Sequence, residues 1–172
     1  TLAELTKSRL HVPHISTARS VDLVRQARAR GVDVTCEVTP HHFALTDAAV
    51  AGYDTSTKMN PPLRSEEDRA ALIEGLHDGT IDAVATDHAP HTSLEKQVEY
   101  DVAAFGMIGF ETALSLILRL VEKKVLSLND AIERLTSGPA RVFTLPGGTV
   151  PEGAPGDVTL IDPDAAATTQ LG

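Results

Sequence analysis

Positive charge is scarce in this chain. Fifteen lysines and arginines face 24 aspartates and glutamates, for a formal net charge of −9. Nucleic acid or an anionic membrane surface would call for a basic patch, so neither is expected as a partner. An acidic small molecule stays open, because one local metal or basic group can invert the field at a single site. Cysteine occurs once, at Cys36, which excludes an internal disulfide and suits a reducing cytoplasm. Long hydrophobic runs are missing too. The longest, "TALSLILRLV", already contains Arg119 and falls well short of the ~20 apolar residues a membrane helix needs. No signal-peptide pattern is visible, and the chain starts at Thr1 rather than Met. What remains is a globular composition, 42% hydrophobic, of a length suited to one domain.

Strands and helices alternate along the chain. "RLHVPH" reads as a short strand. "SVDLVRQARARG" follows as a helix, with Val21, Leu23, Val24 and Ala27 on its apolar face and Gly31 ending it. "VDVTCEV" alternates, with Val34, Cys36 and Val38 on one face and Thr35, Glu37 and Thr39 on the other; Cys36 is expected in the core. Residues 40 to 64 read as irregular, with "MNPPLR" too proline-rich for regular structure. "SEEDRAALIEGLHDG" is a helix capped by Ser65 and stopped by Gly79, with His77 complementing its dipole at the surface. "IDAVAT" reads as a buried strand. A helix from about Phe110 to Lys124 is expected to pack on the outside of the fold. "SLNDAIERLT" has Ser127 and Asp130 at capping-box positions. "LPGGTVPEGAPG" is a linker, and "DVTLID" a last strand. The opening "LAELTKSR" reads as the end of a helix, and "DAAATTQLG" stops without a closing element, as in a piece of something longer. The alternation predicts an α/β fold with a parallel sheet, doubly wound or a barrel.

In both architectures chemistry gathers at the carboxyl ends of the strands. The polar residues follow that rule. His14 ends the first strand, Glu37 nears the end of the second with His41 and His42 just beyond, and Asp87, His88 and His91 follow the third. Six of the seven histidines, all but His77, lie in these three strands or just beyond them. Neutral imidazole and carboxylate suit a first-row metal such as zinc, and metal-assisted hydrolysis is one chemistry for such a set. Taken singly, each residue has an ordinary alternative. His14 can bond a loop, Asp87 can cap the turn before Pro90, and Glu37 can pair with an arginine. Their joint placement at three successive strand ends favours a site.

The segments "LHVPHIST", "CEVTPHHFALTD", "KMNPPLR", "DAVATDHAPH" and "AAFGMIGFETAL" occur in that order. Together they resemble the C-terminal half of the bacterial class I dihydroorotases, members of the amidohydrolase superfamily of metal-dependent (β/α)8 TIM barrels. "PGDVTLIDPD" resembles the start of that superfamily's small β-domain. The resemblance implies strands six to eight of the barrel in residues 1–144, and a linker with part of the β-domain in 145–172. It assigns His14 and Asp87 as metal ligands and Asp87 as general acid/base. Asn60, His91, Phe105 and Gly106 would contact the substrate. Glu37 matches a carboxylate that binds an extra metal in some members, but Pro13 stands where those members have cysteine. Glu37 and His41 are therefore expected to support the site from behind, and neither His41 nor His42 is given a catalytic step.

The implied reaction interconverts L-dihydroorotate and N-carbamoyl-L-aspartate in pyrimidine synthesis, with one or two zinc ions. A metal-bound hydroxide attacks the ring amide, and Asp87 relays its proton to the leaving nitrogen. The family's His-x-His pair, bridging ligand and fifth-strand histidine have no counterpart here, and a barrel takes roughly 250 residues. The chain alone is therefore expected to be inactive and to need an N-terminal half as partner. A homodimer and a complex with aspartate transcarbamoylase are further partners the family suggests. Alternatives are a non-catalytic scaffold for that transcarbamoylase, or another cyclic amidohydrolase: dihydropyrimidinase, hydantoinase or allantoinase.

Overall fold

A computed structural model of the chain describes residues 2–154, 156–163 and 165. After a first short helix, α1 (Leu2–Thr6), three strands form one parallel sheet: β1 (Leu10–Val12), β2 (Val34–Val38) and β3 (Ala83–Val84), in the order β1-β2-β3. The register pairs Leu10 with Val34 and Val12 with Cys36 across the first ladder, and Glu37 with Ala83 across the second. The ladder of β3 is shorter than "IDAVAT" suggests. Single bonds continue it on either side, from Asp82 N to Cys36 O (3.0 Å) and from Ala85 N to Val38 O (3.1 Å).

The crossovers are helical. The first, α2 (Ala18–Ala29), is capped by Thr17, whose hydroxyl accepts the Ser20 N–H at 3.1 Å. The second contains α3 (Pro40–Ala44) and α4 (Glu66–His77). Ser65 caps α4 by accepting the Asp68 N–H at 3.2 Å, and three acids fill its first turn, where they complement the dipole. Asp68 also accepts the Ala18 N–H at 2.8 Å and so locks the starts of α2 and α4 together. Beyond β3 come α5 (Ser93–Lys96), α6 (Phe110–Glu122), α7 (Leu128–Leu135) and α8 (Ser137–Phe143). Ser127 and Asp130 form both bonds of a capping box on α7.

The core lies between the sheet and the helices. Val34, Cys36 and Val38 meet Val21 and Val24 of α2, Leu72 and Leu76 of α4, and Ile117 of α6 in one cluster. Truncating a side chain as enclosed as Leu76 costs about 2–5 kcal/mol. Behind β3, Gly138 lets α8 come close: a Cβ there would sit 2.6 Å from Asp82 O and 2.7 Å from Glu133 O. At the amino end of the strands, Arg28 pairs with Asp82, whose Oδ2 also accepts the Cys36 N–H at 2.8 Å.

Four local expectations need correction. The stretch from 40 to 64 is not wholly irregular. Pro40 opens α3 at its first position, where a missing N–H costs nothing, and 3-10 turns follow at Asp47–Val50 and Thr55–Thr57. The helix α8 follows α7 after one residue, and its glycine and proline hid it from pattern reading. Leu23 is 49% exposed, while Val21, Val24 and Ala27 of the same helix pack into the cluster. "DVTLID" forms no strand: residues 157–162 pair with no described strand, and Val158 and Leu160 are exposed. Strand geometry without a neighbour leaves its backbone bonds to water. The expected Cys36 core position and the packing role of α6 agree with the structure.

Candidate active site

Two polar residues stand just past the carboxyl ends of the outer strands, and both have left-handed backbone. His14 has φ +50° two residues after β1, and Asp87 has φ +49° three residues after β3. Positive φ is uncommon for residues other than glycine. The first turn is fixed by Ile15 N donating to Glu37 O at 3.0 Å. The second is fixed by the neighbour of Asp87. His88 Nδ1 accepts the N–H groups of Gly109 (3.0 Å) and Phe110 (3.3 Å), and its ring stacks on Phe110 at 4.0 Å. His88 therefore caps α6, whose own cap position is a glycine without a side-chain acceptor.

The two turns bring the side chains together. His14 Nε2 lies 3.6 Å from Asp87 Oδ1, and His14 Nδ1 lies 2.9 Å from Glu37 Oε1. The latter approach is not aligned as a hydrogen bond, which leaves Nδ1 buried without a directed partner. Glu37 is 6% exposed and held from below: its Oε2 is 3.2 Å from His11 Nε2, and His11 Nδ1 is 2.9 Å from Thr35 Oγ1. A carboxylate only accepts, so His11 donates through Nε2 and, when neutral, accepts the Thr35 hydroxyl at Nδ1. The parallel register sets His11 beside Thr35, so Thr35, Glu37 and His11 share one face of the sheet. Sequence reading gave His11 no role. The signal that places it is the register between β1 and β2, which no alternation within a single strand contains.

His41 and His42 lie close by but serve differently. His41 is buried, its Nε2 finds no hydrogen-bond partner among the described residues, and its ring centroid is 4.5 Å from that of His42. Burial, followed by the charges of His42 and His14, pushes its pKa down to about 3, so it is neutral. His42 donates through Nε2 to Pro61 O (2.9 Å) and contacts Thr39 Oγ1 through Nδ1 (2.6 Å); burial lowers its pKa as well.

A second group gathers in the loops. His91 Nε2 donates to Phe105 O at 2.8 Å. Gly106, at φ +125°, donates to Lys58 O at 2.9 Å, and a Cβ on it would fall 2.5 Å from Ala89 Cβ. Asn60 is exposed two residues beyond Lys58. Among the described residues, no hydrogen bond or ion pair joins this group to the His14–Asp87 pair.

The pair fits part of a metal shell. Two donors about 2.1 Å from a zinc ion at a tetrahedral angle lie about 3.4 Å apart, close to the 3.6 Å between His14 Nε2 and Asp87 Oδ1. No group of three or more histidines, cysteines, aspartates or glutamates among the described residues could hold a metal ion by itself. Nor is any helix of the described residues long and apolar enough to cross a membrane.

The model of the amidohydrolase family matches residues 2–171. A dihydroorotase of Pelotomaculum thermopropionicum is 62% identical over 164 residues, 95% of this chain and 38% of that protein. A dihydroorotase of Syntrophotalea carbinolica is 59% identical over 163 residues, with the same coverage. The chain thus spans about 38% of the length of these relatives. Among solved structures, the L-hydantoinase (dihydropyrimidinase) of Arthrobacter aurescens superimposes with a TM-score of 0.83 at 33% identity, over 89% of this chain and 35% of that one. A dihydropyrimidinase of Brevibacillus agri gives 0.84 at 24% identity, over 90% and 36%, a likeness of fold alone.

Proposed function

The chain belongs to the amidohydrolase family, and from that premise we propose that it carries the His14–Asp87 side of a dihydroorotase site. The observation that carries the reading is the approach of His14 Nε2 to Asp87 Oδ1 at 3.6 Å, with Glu37 behind the imidazole. Two elements of a rigid sheet hold these groups, which favours precise placement of reacting atoms. His14 and Asp87 would hold a zinc ion, with further donors from outside these residues. Such an ion supplies Lewis acidity towards an amide carbonyl and acidifies water near neutral pH. Asp87 is half-buried, with room to take a proton from water and return it to a leaving ring nitrogen. Glu37 stands 2.9 Å from His14 Nδ1 and would orient the ring once that approach aligns, the usual work of a carboxylate behind a metal-binding histidine. His91, Phe105, Gly106 and Asn60 would border the dihydroorotate ring, and the reducing interior of the cytoplasm suits the buried thiol.

The test is a substrate panel with the full-length protein. Ring opening of dihydroorotate is expected to outpace that of dihydrouracil, hydantoin and allantoin. Asp87→Asn is expected to lower kcat by about 10²–10⁴ while the protein stays folded. Equal rates for the variant and the parent, or a preference for dihydrouracil, would overturn the reading.

A further inference from the structure

Two lysines outside the His14–Asp87 pair tie together the loops that carry Asn60 and Phe105–Gly106. Lys58 is only 7% exposed. Its Nζ donates to Asp101 O at 2.8 Å and lies 4.5 Å from the centroid of the Phe105 ring. Its own carbonyl accepts the Gly106 N–H at 2.9 Å. Lys96 answers from the end of α5, where the opposite loop begins. Its Nζ donates to Thr55 O at 3.1 Å and to Ala104 O at 2.8 Å, and Thr55 Oγ1 donates back to Lys96 O. Each ammonium therefore crosses between the two loops.

Burying an ammonium is costly unless its donors are satisfied. Here the acceptors are backbone carbonyls of the two loops, so the contacts that offset the burial of each ammonium are the same ones that join the loops. The cost is visible at Lys96, whose pKa is lowered first by burial and then by the charge of Lys58. Lys58 gives one donor to a carbonyl and lies over the face of Phe105, an attraction that grows as the cation is desolvated. It is spent on the loop rather than held out to a ligand.

We propose that Lys58 and Lys96 form a clasp that positions the Phe105–Gly106 loop, making Lys58 a positioning residue and not a substrate ligand. The functional part of this inference rests on the reading that Phe105 and Gly106 border the substrate. The clasp itself rests only on the contacts above.

The test uses Lys58→Met, Lys96→Met and Lys58→Arg in the full-length protein, with amide hydrogen exchange and steady-state kinetics on dihydroorotate. Both methionine variants are expected to speed exchange at residues 103–106 by about tenfold or more, as expected for a loop freed to open locally. KM should rise by about tenfold with kcat changed by less than about threefold, the sign of lost ground-state positioning. Lys58→Arg should restore much of both, because a guanidinium keeps the donor and the ring contact. Unchanged exchange in both methionine variants would overturn the clasp. A collapse of kcat in Lys58→Met with exchange unchanged would show that Lys58 touches the reacting atoms, and would overturn it equally. If Lys58→Met does not fold, Lys96→Met, on a half-buried side chain, carries the same comparison. Absence of dihydroorotate turnover in the parent would sink the functional reading alone, and the exchange data would still decide the clasp.

Discussion

Acid should weaken this fold through His41 in particular. Its ring is buried, its Nε2 has no hydrogen-bond partner among the described residues, and its pKa is pushed down from 6.5 to about 3. Above pH 6.5 neither the folded nor the unfolded chain binds a proton there, and the residue costs nothing on this account. As pH falls from 6.5 towards 3, the unfolded chain takes up a proton that the folded one refuses. The unfolded state then binds more protons, so stability falls as pH falls across that window. With an unfolded pKa near 6.5, the loss at pH 5 relative to pH 7.5 is about 2 kcal/mol from His41 alone. The perturbation is His41→Leu, which fills similar space and cannot titrate. Urea unfolding followed by circular dichroism at pH 7.5 and pH 5 gives the stability of both proteins. The drop on acidification is expected to be smaller in the variant by about 2 kcal/mol, with His42 still contributing to both. Equal drops, or an NMR titration of His41 with an ordinary midpoint, would refute the argument.

Two further predictions concern the scaffold. Gly138→Ala forces a methyl against two backbone carbonyls at 2.6 and 2.7 Å; it should lower stability by about 1–3 kcal/mol, visible as a reduced Tm. Cys36 is fully enclosed and its thiol is pushed up to about 12, chiefly by burial. A disulfide reagent at neutral pH should leave it unmodified in the folded protein and label it once denaturant is added, because the thiolate is the nucleophile.

Much of the scaffold is legible in the chain itself, for local reasons. Ser65 before three acids, and Ser127 three residues before Asp130, are helix starts whose bonding partners lie within one turn. Alternation around Cys36 names a buried face because side-chain direction in a strand has period two. Reading failed where the decisive contact was distant. The short helix opened by Pro40 escaped pattern reading because it depends on a Thr39 cap and on His42 reaching Pro61. "DVTLID" has strand-like composition, but a strand exists only with a neighbour to pair with. At the site, strand ends pointed to His14, Glu37 and Asp87, yet no local pattern says that His11 props Glu37 from below. Nor does any say that His88 is spent on capping α6, some twenty residues away. The lysine clasp was equally silent, since a buried lysine looks like a surface one until the carbonyls that receive it are known.

The left-handed backbone at His14 and Asp87 has a consequence for any attempt to improve this protein. A side chain in that conformation costs about 1–2 kcal/mol relative to the common helical one, and glycine escapes the penalty. At both positions, then, the fold and the proposed chemistry want different residues. A selection for heat resistance alone would be drawn to glycine or asparagine at 14 and 87, and its winners would be sturdier proteins with an emptied site. Screens on this scaffold therefore have to score turnover alongside survival, or they will reward the loss of what the strand ends hold.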